Sequence, residues 1–183
     1  MNFEWHFRHH VGRRLDKWRH YFDIYDRHFD RFRGEDVRIL EIGVDHGGSL
    51  QLWKRYFGVD AQIVGVDKDP RCGALAEEQI DIKIGNQADI EFLKGLGAFD
   101  IVIDDGSHNQ MDQLASFETL WPKTRHVYLI EDCHDAAPRL AGAPIVYYYP
   151  WVVVAEKPER LIRGDPSRDL RKDEIDAAER YGC

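Results

Sequence analysis

The chain has 183 residues, and 43% of them are hydrophobic, which suffices for one domain with its own core. Its formal net charge of −8 argues against a nucleic-acid partner, because phosphate contacts need clustered Lys and Arg. The three cysteines have no CxxC spacing, so we predict neither a disulfide framework nor a zinc knuckle, and we expect a reducing, cytoplasmic location. No stretch reaches the ~18 consecutive apolar residues of a membrane span, so no membrane association is expected.

The N-terminal segment 1–35 is predicted to be helical. Trp18, Phe22, Tyr25 and Phe29 follow the i, i+4, i+7, i+11 spacing of one helical stripe. We therefore expect one or two helices that pack onto the following residues and end near Gly34, a suitable C-cap. The basic residues of this segment are interpreted as a solvated helix face.

After this segment, stretches typical of strands and of helices alternate. The predicted strands are 37–42, 62–66, 80–84, 99–103 and 127–130, and the predicted helices are 49–57, 71–79, 89–96 and 111–120. Such alternation predicts right-handed βαβ crossovers, and so an α/β fold with a mostly parallel sheet and helices on both faces. Pro150 interrupts a β-branched and aromatic run over 144–156, which predicts two further strands near one sheet edge and a seven-stranded sheet.

The whole chain is predicted to be a single domain. No internal repeat, low-complexity tract or interdomain linker interrupts residues 1–183. We therefore divide this domain into the helical segment 1–35, the core 36–157 and a tail over 158–183. The tail is mostly charged, and we expect it to end in a surface helix over 172–181.

Two of the predicted strands end in clusters of polar side chains. Asp104, Asp105 and His108 follow one strand, and Glu131 and Asp132 follow the next. Ligands of open α/β sheets bind beyond the carboxyl ends of the strands, so these side chains are expected at the mouth of a site. Acids and imidazole at adjacent strand ends predict a metal site or an acid/base site. The alternative is that the acids only cap helices or face water.

A glycine-rich loop follows the first predicted strand and leads directly into a helix. Gly43, Gly47 and Gly48 allow a tight turn and a close approach of a ligand to the helix N-terminus. Their spacing differs from the GxGxxG of NAD-binding folds. Asp67 ends the second strand, where it is placed to accept hydrogen bonds from a ribose diol. The two strand ends together predict a nucleoside ligand.

Several short segments of the sequence resemble those of known protein families. The segments 40–44 (LEIGV), 47–50 (GGSL) and 65–67 (GVD) resemble class I methyltransferases that use S-adenosylmethionine. The segments 103–108 (IDDGSH), 116–120 (SFETL) and 130–134 (IEDCH) resemble, more narrowly, the magnesium-dependent sugar O-methyltransferases of macrolide and tetracenomycin biosynthesis, which have relatives known as cephalosporin hydroxylases. Asp16, Lys17 and Tyr21 fall where that group has an Asp-Lys and Tyr segment. The resemblance implies a Rossmann-like class I methyltransferase fold, S-adenosylmethionine as cofactor, and Mg²⁺ or a similar divalent cation.

Residue roles are also implied by that resemblance. At the methionine part of the cofactor, Gly43 and Gly47 would approach closely and Ser49 would help to hold the carboxylate. Asp67 would bind the ribose, and Glu41 and Asp104 would lie near the cofactor. The residues beside the adenine would be Asn86, Gln87 and Asp89. On the reaction side, Asp105, Glu131 and Asp132 would hold the metal, and His108 would be the general base. The implied acceptor is a hydroxyl of a sugar or of a glycosylated or other polyol-like small molecule.

The chain departs from that group between the fifth strand and the last two strands. The group usually carries a long segment there, whereas this chain has only residues 135–143. The acceptor pocket would then be open, or it would be completed by the N-terminal helices or by another subunit of a homo-oligomer. Lys17, His20, Tyr21 and Tyr25 are candidates for its wall.

Three other functions remain open. His108 or Asp105 alone could serve a metal-independent methyltransferase, and the hydroxylase name of some relatives suggests a metal-dependent oxygenase. The third alternative is a cofactor-binding scaffold without activity, given the short segment before the last strands. His134 could ligate the metal or act as a base, but a supporting role behind the ligands or a structural role is favoured, because His108 already takes the position of the base.

Overall fold

The computed structural model describes residues 1–133 and 138–158. His134 and the predicted helix over 172–181 lie outside the described residues. No helix in the described part of the chain is long and apolar enough to cross a membrane.

The described residues form seven strands and five α-helices. The strands are β1 (Arg38–Ile42), β2 (Gln62–Asp67), β3 (Ile80–Ile84), β4 (Phe99–Asp104), β5 (Thr124–Ile130), β6 (Ile145–Tyr149) and β7 (Val152–Glu156). The helices are α1 (Phe3–Arg8), α2 (Phe22–Phe29), α3 (Gly48–Phe57), α4 (Ile90–Gly95) and α5 (Gln110–Leu120). Short 3-10 turns cover Arg19–Tyr21, Asp30–Phe32, Pro70–Leu75 and Trp121–Lys123.

These seven strands belong to one sheet, in the order β3-β2-β1-β4-β5-β7-β6. The strands β1 to β5 pair in parallel, whereas β7 is antiparallel to both β5 and β6. The chain moves outward from β1 to β3 and then returns to β4 on the other side of β1. At such a switch point the connecting loops diverge and leave a crevice at the carboxyl ends of the strands. The predicted α/β fold with a mostly parallel, seven-stranded sheet is confirmed.

Helices cover both faces of the sheet, as predicted. One core lies between the sheet and α1 to α3, where Tyr25 and Trp53 are fully buried. The opposite core contains Leu93 of α4 and Phe117 of α5. The strand β4 is buried at every position. A parallel strand between two helical layers has no solvent-facing side, which explains why the sequence of β4 is almost continuously apolar.

The N-terminal prediction is wrong between α1 and α2. Phe22 is buried as predicted, but Trp18 is 50% exposed, and residues 10–18 are not helical. These residues cross the start of α3, where a Cβ atom on Gly48 would lie 2.2 Å from the carbonyl oxygen of Arg14. The segment 10–18 therefore packs on the glycine-rich loop without forming a helix, although the side chains of Arg8, Arg14 and Arg19 are exposed to solvent as predicted.

The predicted helix over 71–79 is also wrong. The chain forms a 3-10 turn over Pro70–Leu75, and an isolated bridge then pairs Glu77 with Ile80. Gly73 lies in the middle of this stretch and disfavours a longer helix. The connection between β2 and β3 is therefore a compact turn beside the glycine-rich loop.

The two strands predicted on either side of Pro150 are confirmed. The strands β6 and β7 pair in antiparallel fashion, with Tyr149 opposite Val152 next to the turn. In the turn, Trp151 has a left-handed φ of 63°. The strand β6 lies at the sheet edge, where the missing N–H of a nearby proline disturbs no ladder.

Asp104 ends β4 as a fully buried carboxyl group. The amide of Gln87 donates to both of its oxygens, at 2.7 Å each, and the hydroxyl of Tyr128 donates to Oδ2 at 3.4 Å. Burial raises the pKa of Asp104 to about 7, although the bonds from Gln87 act in the opposite direction. Asp104 therefore attaches the loop after β3 to the end of β4.

The loop after β1 approaches β4 closely at Gly43. This glycine has a φ of 96°, and a Cβ atom there would lie 2.1 Å from the backbone oxygen of Asp105. The nitrogen of Gly43 donates to Val66 (2.8 Å), and the nitrogen of Asp105 donates to Ile42 (2.9 Å). The ends of β1, β2 and β4 are thus joined into one rigid floor.

We predict that Gly43→Ala destabilises the protein by about 2–4 kcal/mol, because the new methyl group meets backbone atoms and the left-handed φ is costly for alanine. Gly47→Ala is the matched control: its φ is 75°, but the nearest atom is a leucine methyl at 3.2 Å. This variant should lose only about 1 kcal/mol. Urea unfolding of both proteins measures the difference, and equal losses would contradict the close approach.

We predict that Asp104→Asn makes stability less dependent on pH. The unfolded carboxyl group titrates near ~3.9, and the folded one near about 7, so between these values the folded wild type retains a proton and loses stability as the pH rises. The difference corresponds to at most about 4 kcal/mol. In chelator-treated samples, the stability of the variant relative to the wild type should increase from about pH 4 to about pH 7 and then level off. Parallel pH profiles would mean that Asp104 is ionised in the fold.

Candidate active site

A cavity of about 820 Å³ opens at the carboxyl ends of β1, β2, β4 and β5, within the range of ~300–1,000 Å³ that is typical of small-molecule sites. Six of the predicted site residues line it: Gly43, Ser49, Asp67, Asp105, His108 and Asp132. The non-helical segment 14–17 forms part of the opposite wall. This space, here called the strand-end cavity, lies where open parallel sheets bind their ligands.

Asp67 is held in place at the β2 end of this cavity by three backbone N–H groups. Its Oδ2 accepts from Val44 (2.9 Å) and Asp45 (3.2 Å), and its Oδ1 accepts from Asp69 (2.9 Å). Burial acts to raise the pKa of Asp67, but these hydrogen bonds lower it overall. Asp67 is therefore an ionised acceptor on the cavity wall, as the binding of a ribose hydroxyl requires.

Glu41 lies beneath the start of α3 and does not line the strand-end cavity. It is fully buried, and it accepts hydrogen bonds from Ser49 Oγ (2.7 Å) and from the indole nitrogen of Trp53 (3.1 Å). Burial raises its pKa, and the ammonium of Lys17, 3.6 Å away, acts in the opposite direction. Glu41 positions Ser49, and its own contact with a cofactor stays a prediction.

The side chains predicted beside the adenine lie outside the lining of this cavity. Gln87 holds Asp104, Asn86 accepts a hydrogen bond from a backbone nitrogen two residues later (2.9 Å), and Asp89 caps α4 (3.1 Å). Gly47 also lies outside the lining, at the N-cap of α3. Local contacts explain these side chains, and their contacts with a cofactor stay predictions.

The ammonium of Lys17 lies among three carboxylates at the other end of the cavity. Its Nζ is 2.5 Å from Asp105 Oδ2, 2.8 Å from Glu131 Oε2 and 3.6 Å from Glu41 Oε1. The lysine side chain is 2% exposed. Burial acts to lower its pKa, but the carboxylates outweigh burial and raise the pKa well above its usual value. Sequence analysis placed Lys17 only on an acceptor wall and missed this bridging role.

Two buried tyrosines bind the acids at the end of β5. The hydroxyl of Tyr21 donates to Asp132 Oδ1 (2.6 Å), and the hydroxyl of Tyr25 donates to Glu131 Oε1 (2.8 Å). Burial and the neighbouring carboxylates raise the pKa of both hydroxyl groups, so each keeps the proton that it donates. We refer to Glu41, Asp105, Glu131 and Asp132 together as the acid cluster.

Three side chains are arranged so that they could hold a metal ion. Asp105, His108 and Asp132 offer ligand atoms that all lie within 4.8 Å of one another. The Nε2 of His108 is 3.8 Å from Asp132 Oδ2. Glu131, the third predicted ligand, instead directs its oxygens toward Lys17 and Tyr25. The structure thus brings two of the three predicted metal ligands to the cavity surface, together with the predicted base.

The backbone is left-handed at His108 and Asp132, which both line the strand-end cavity. The φ angles are 57° at His108 and 54° at Asp132. Non-glycine residues in this conformation cost about 1–2 kcal/mol each, and such residues concentrate at functional sites. The hydroxyl of Tyr21, which accepts from the backbone nitrogen of Asp132 at 3.3 Å, helps to hold the turn.

A second cavity of about 390 Å³ lies on the other side of the acid cluster. Trp18, Tyr21 and Glu131 line it, and we call it the Trp18 cavity. Four residues line both cavities: Asp16, Lys17, Asp105 and Asp132. The acid cluster therefore separates a space that reaches Asp67 from a space that opens beside Trp18.

No family model matches the chain. Among curated proteins, it is similar to 8-demethyl-8-(2-methoxy-alpha-L-rhamnosyl)-tetracenomycin-C 3'-O-methyltransferase of Streptomyces olivaceus, with 39% identity in an alignment of length 148 that covers 73% of this chain and 37% of that protein. It is also similar to mycinamicin VI 2''-O-methyltransferase of Micromonospora griseorubida, with 43% identity over 125 residues, 61% of this chain and 31% of that protein. The chain spans about a third of the length of these curated relatives.

Among solved structures, the chain is similar to the MycE methyltransferase from the mycinamycin biosynthetic pathway in complex with Mg, SAH and mycinamycin VI. The TM-score is 0.69 at 30% identity, over 84% of this chain and 54% of that one. A second structure of MycE, with Mg and SAH, gives a TM-score of 0.70. The chain therefore has the Rossmann-like class I methyltransferase fold and is a homologue of the sugar O-methyltransferases of the macrolide and tetracenomycin pathways.

Proposed function

We propose that this chain provides the catalytic domain of an O-methyltransferase that uses S-adenosylmethionine and a divalent cation such as Mg²⁺ to methylate a sugar hydroxyl of a glycosylated small molecule. The observation that carries the proposal is the position of the acid cluster between two cavities, one for a methyl donor and one for an acceptor. The single-domain extent, a homo-oligomer and a cytoplasmic location stay predictions.

The strand-end cavity suits S-adenosylmethionine. MycE, which has the same fold, was solved with SAH. At one end of the cavity, Asp67 is an ionised acceptor for a ribose hydroxyl. Near the other end, Ser49 lies in the first turn of α3, whose free N–H groups attract a carboxylate. The proposed orientation directs the methyl group of the cofactor toward Asp105 and His108.

The acid cluster suits a divalent cation of the magnesium type. Three of its carboxylates, those of Glu41, Asp105 and Glu131, face one ammonium, that of Lys17, so negative charge is in excess. Burial and the like charge of Asp105 raise the pKa of Glu131, although Lys17 acts in the opposite direction. A cation held by Asp105 and Asp132, with the predicted third ligand Glu131 beside them, would relieve this repulsion, and oxygen ligands are those that Mg²⁺ prefers.

The proposed mechanism assigns separate tasks to the side chains around the cluster. A bound cation would stabilise negative charge on the acceptor oxygen. His108 takes the proton of the acceptor hydroxyl, and Asp132, 3.8 Å away, stabilises the imidazolium that results. A positioned base of this kind increases the reaction rate by a factor of about 10²–10⁴. Lys17 and Tyr21 fix the carboxylates beforehand, so that little reorganisation is needed in the transition state.

The same geometry disfavours the alternatives. A metal-independent enzyme has no need for three acids around one lysine, since such a cluster carries a desolvation cost. A non-haem iron oxygenase binds its metal with two histidines and one carboxylate, whereas the candidate ligands here are two carboxylates, Asp105 and Asp132, and one histidine, His108. Against an inactive scaffold stands His108, whose side chain is 41% exposed and can reach a substrate.

We predict that Asp105→Ala weakens the binding of Mn²⁺ or Mg²⁺ by at least about tenfold and leaves the binding of S-adenosylhomocysteine nearly unchanged. Separate calorimetric titrations of the two ligands measure this. Asp16→Ala is the control, because Asp16 borders both cavities but pairs at the surface with Arg14. Unchanged metal affinity in a folded Asp105→Ala variant would show that the metal assignment is wrong, and a wild type that fails to bind S-adenosylhomocysteine would rule out the cofactor.

We predict that Lys17→Met lowers the free energy of unfolding by about 3–5 kcal/mol in the presence of a chelator, because buried carboxylates lose their partner. Mg²⁺ should restore part of this loss, since a cation replaces the missing charge. Lys68→Met, at an exposed position on the same cavity, should change stability by less than about 0.5 kcal/mol. Urea unfolding with and without Mg²⁺ tests both variants. If Mg²⁺ stabilises Lys17→Met no more than the wild type, cation and ammonium do not share the cluster.

A further inference from the structure

A third cavity, of about 450 Å³, lies between α2 and the turn that joins β6 to β7. We call it the Tyr149 cavity, after a residue on its wall; His20, Ile24, Arg27 and Trp151 also line it. Its volume falls within the ~300–1,000 Å³ of small-molecule sites. The function proposed above assigns no role to it.

The Tyr149 cavity continues from the Trp18 cavity through a pair of indole rings. The ring of Trp18 contacts the ring of Trp151, with centroids 5.1 Å apart at an angle of 66°. Trp18 is 50% exposed and Trp151 is 38% exposed. The two indoles in contact form a continuous, partly exposed apolar surface. This surface leads from the acid cluster to the Tyr149 cavity.

A second connection runs through His20. Its ring centroid is 5.6 Å from that of Trp151 and 4.6 Å from that of Tyr21, whose hydroxyl donates to Asp132. His20 also contacts the backbone oxygen of Pro150 at 3.3 Å. The wall of the Tyr149 cavity is therefore only one aromatic ring away from a side chain that binds the acid cluster.

A hydrogen bond to His28, which lies outside the cavity lining, holds the polar side chain of Tyr149 on the cavity wall. Burial lowers the pKa of His28, although Glu156 acts in the opposite direction, so its imidazole is neutral at neutral pH. The Nδ1–H of His28 donates to Glu156 (2.8 Å), and its Nε2 accepts from the hydroxyl of Tyr149 (2.9 Å). The Tyr149 oxygen is thus held at a fixed position, where it accepts a hydrogen bond from the guanidinium of Arg27 (3.4 Å) and keeps a further lone pair.

This wall suits an apolar body that carries hydroxyl or carbonyl groups. Ile24 and Trp151 supply apolar surface, while Tyr149 supplies an acceptor and Arg27 supplies donors. A free sugar has too much polar surface for this largely apolar wall, because each polar group that is buried there without a hydrogen-bond partner costs free energy. A charged ligand would meet Asp23 and Arg27, which carry opposite charges.

We propose that the Tyr149 cavity binds the aglycone of the acceptor, while Trp18 contacts the sugar next to the acid cluster. This inference rests on the proposed function, because it needs an acceptor whose sugar lies between the indoles and the acids. It assigns specificity for the aglycone to Trp151 and His20, and it gives the turn between β6 and β7 the role of an acceptor wall.

Two probes test the inference at equilibrium, without methyl transfer. Mycinamicin VI carries an apolar macrolide ring and a sugar, and methyl α-L-rhamnoside is a sugar without an aglycone. Each is titrated into the protein with Mg²⁺ and S-adenosylhomocysteine and is followed by calorimetry or ligand-observed NMR. We expect the macrolide to bind at least about tenfold more tightly to the wild type than the rhamnoside does.

The variants should separate the two subsites. Trp151→Ala should weaken macrolide binding by at least about tenfold and leave rhamnoside binding unchanged, whereas Trp18→Ala should weaken both. His20→Ala, at an exposed position, repeats the test if Trp151→Ala fails to fold. Tyr148→Ala is the matched control: Tyr148 is a 55% exposed aromatic residue of β6 that does not line the cavity, and macrolide binding should not change.

Three results would overturn the inference: equal affinity of the wild type for both probes, absence of macrolide binding, or macrolide binding that survives both Trp151→Ala and His20→Ala. Sedimentation velocity adds a fourth, because a Trp151→Ala variant that changes its oligomeric state without losing macrolide affinity would assign this face to a second copy of the chain. A separate result would contradict the proposed function itself: the wild type would not bind S-adenosylhomocysteine.

Discussion

The buried ammonium of Lys17 is the constraint on which the rest of the site depends. It joins a non-helical N-terminal segment to carboxylates at the ends of β1, β4 and β5, and its side chain is almost fully buried. Each of these charges would cost several kcal/mol if it were buried without a partner. Paired, they position four separate parts of the chain relative to one another. The ion pairs of Lys17 therefore stabilise the buried carboxylates and also form the wall between the strand-end cavity and the Trp18 cavity.

Much of this arrangement could be predicted from the sequence, because it is encoded locally. The acids at the ends of β4 and β5 follow short apolar runs directly, and Gly43 and Asp67 follow theirs. The parallel topology then brings the carboxyl ends of these strands to one edge of the sheet. Hydrophobic periodicity, strand length and turn residues were sufficient to predict that these side chains meet.

The contacts of Lys17 could not be predicted in this way. Its partners Asp105 and Glu131 are 88 and 114 positions away in the sequence, and no local period encodes such a pairing. The periodic spacing also placed Trp18 on a buried helical stripe, whereas Trp18 is extended and half exposed, and the preceding residues Arg13 and Arg14 pack on Gly48. Tertiary contact overrode the local pattern at the point where the site is built.

A single position along the chain separates two neighbouring acids with different roles. Asp104 is the last residue of β4, where it is fully buried and bonded to Gln87, while Asp105 lies one residue beyond the ladder and faces Lys17. Alternate residues of a strand point to opposite faces, so the end of the strand decides which acid reaches the cavity. Sequence patterns locate strand ends only to within a residue or two, which is why both acids were assigned to the site.

The turn between β6 and β7 is coupled mechanically to the acids. The backbone nitrogen of Cys133 donates to the carbonyl oxygen of Trp151 at 2.9 Å, directly after the left-handed residue Asp132. Tyr21 holds the same aspartate from the N-terminal side. A displacement of Trp151 would therefore be transmitted to Asp132 through one peptide bond and one hydrogen bond. The position of Trp151 on the proposed acceptor wall and the geometry of Asp132 are thus set by the same few contacts, which makes this turn and the acid cluster one structural unit.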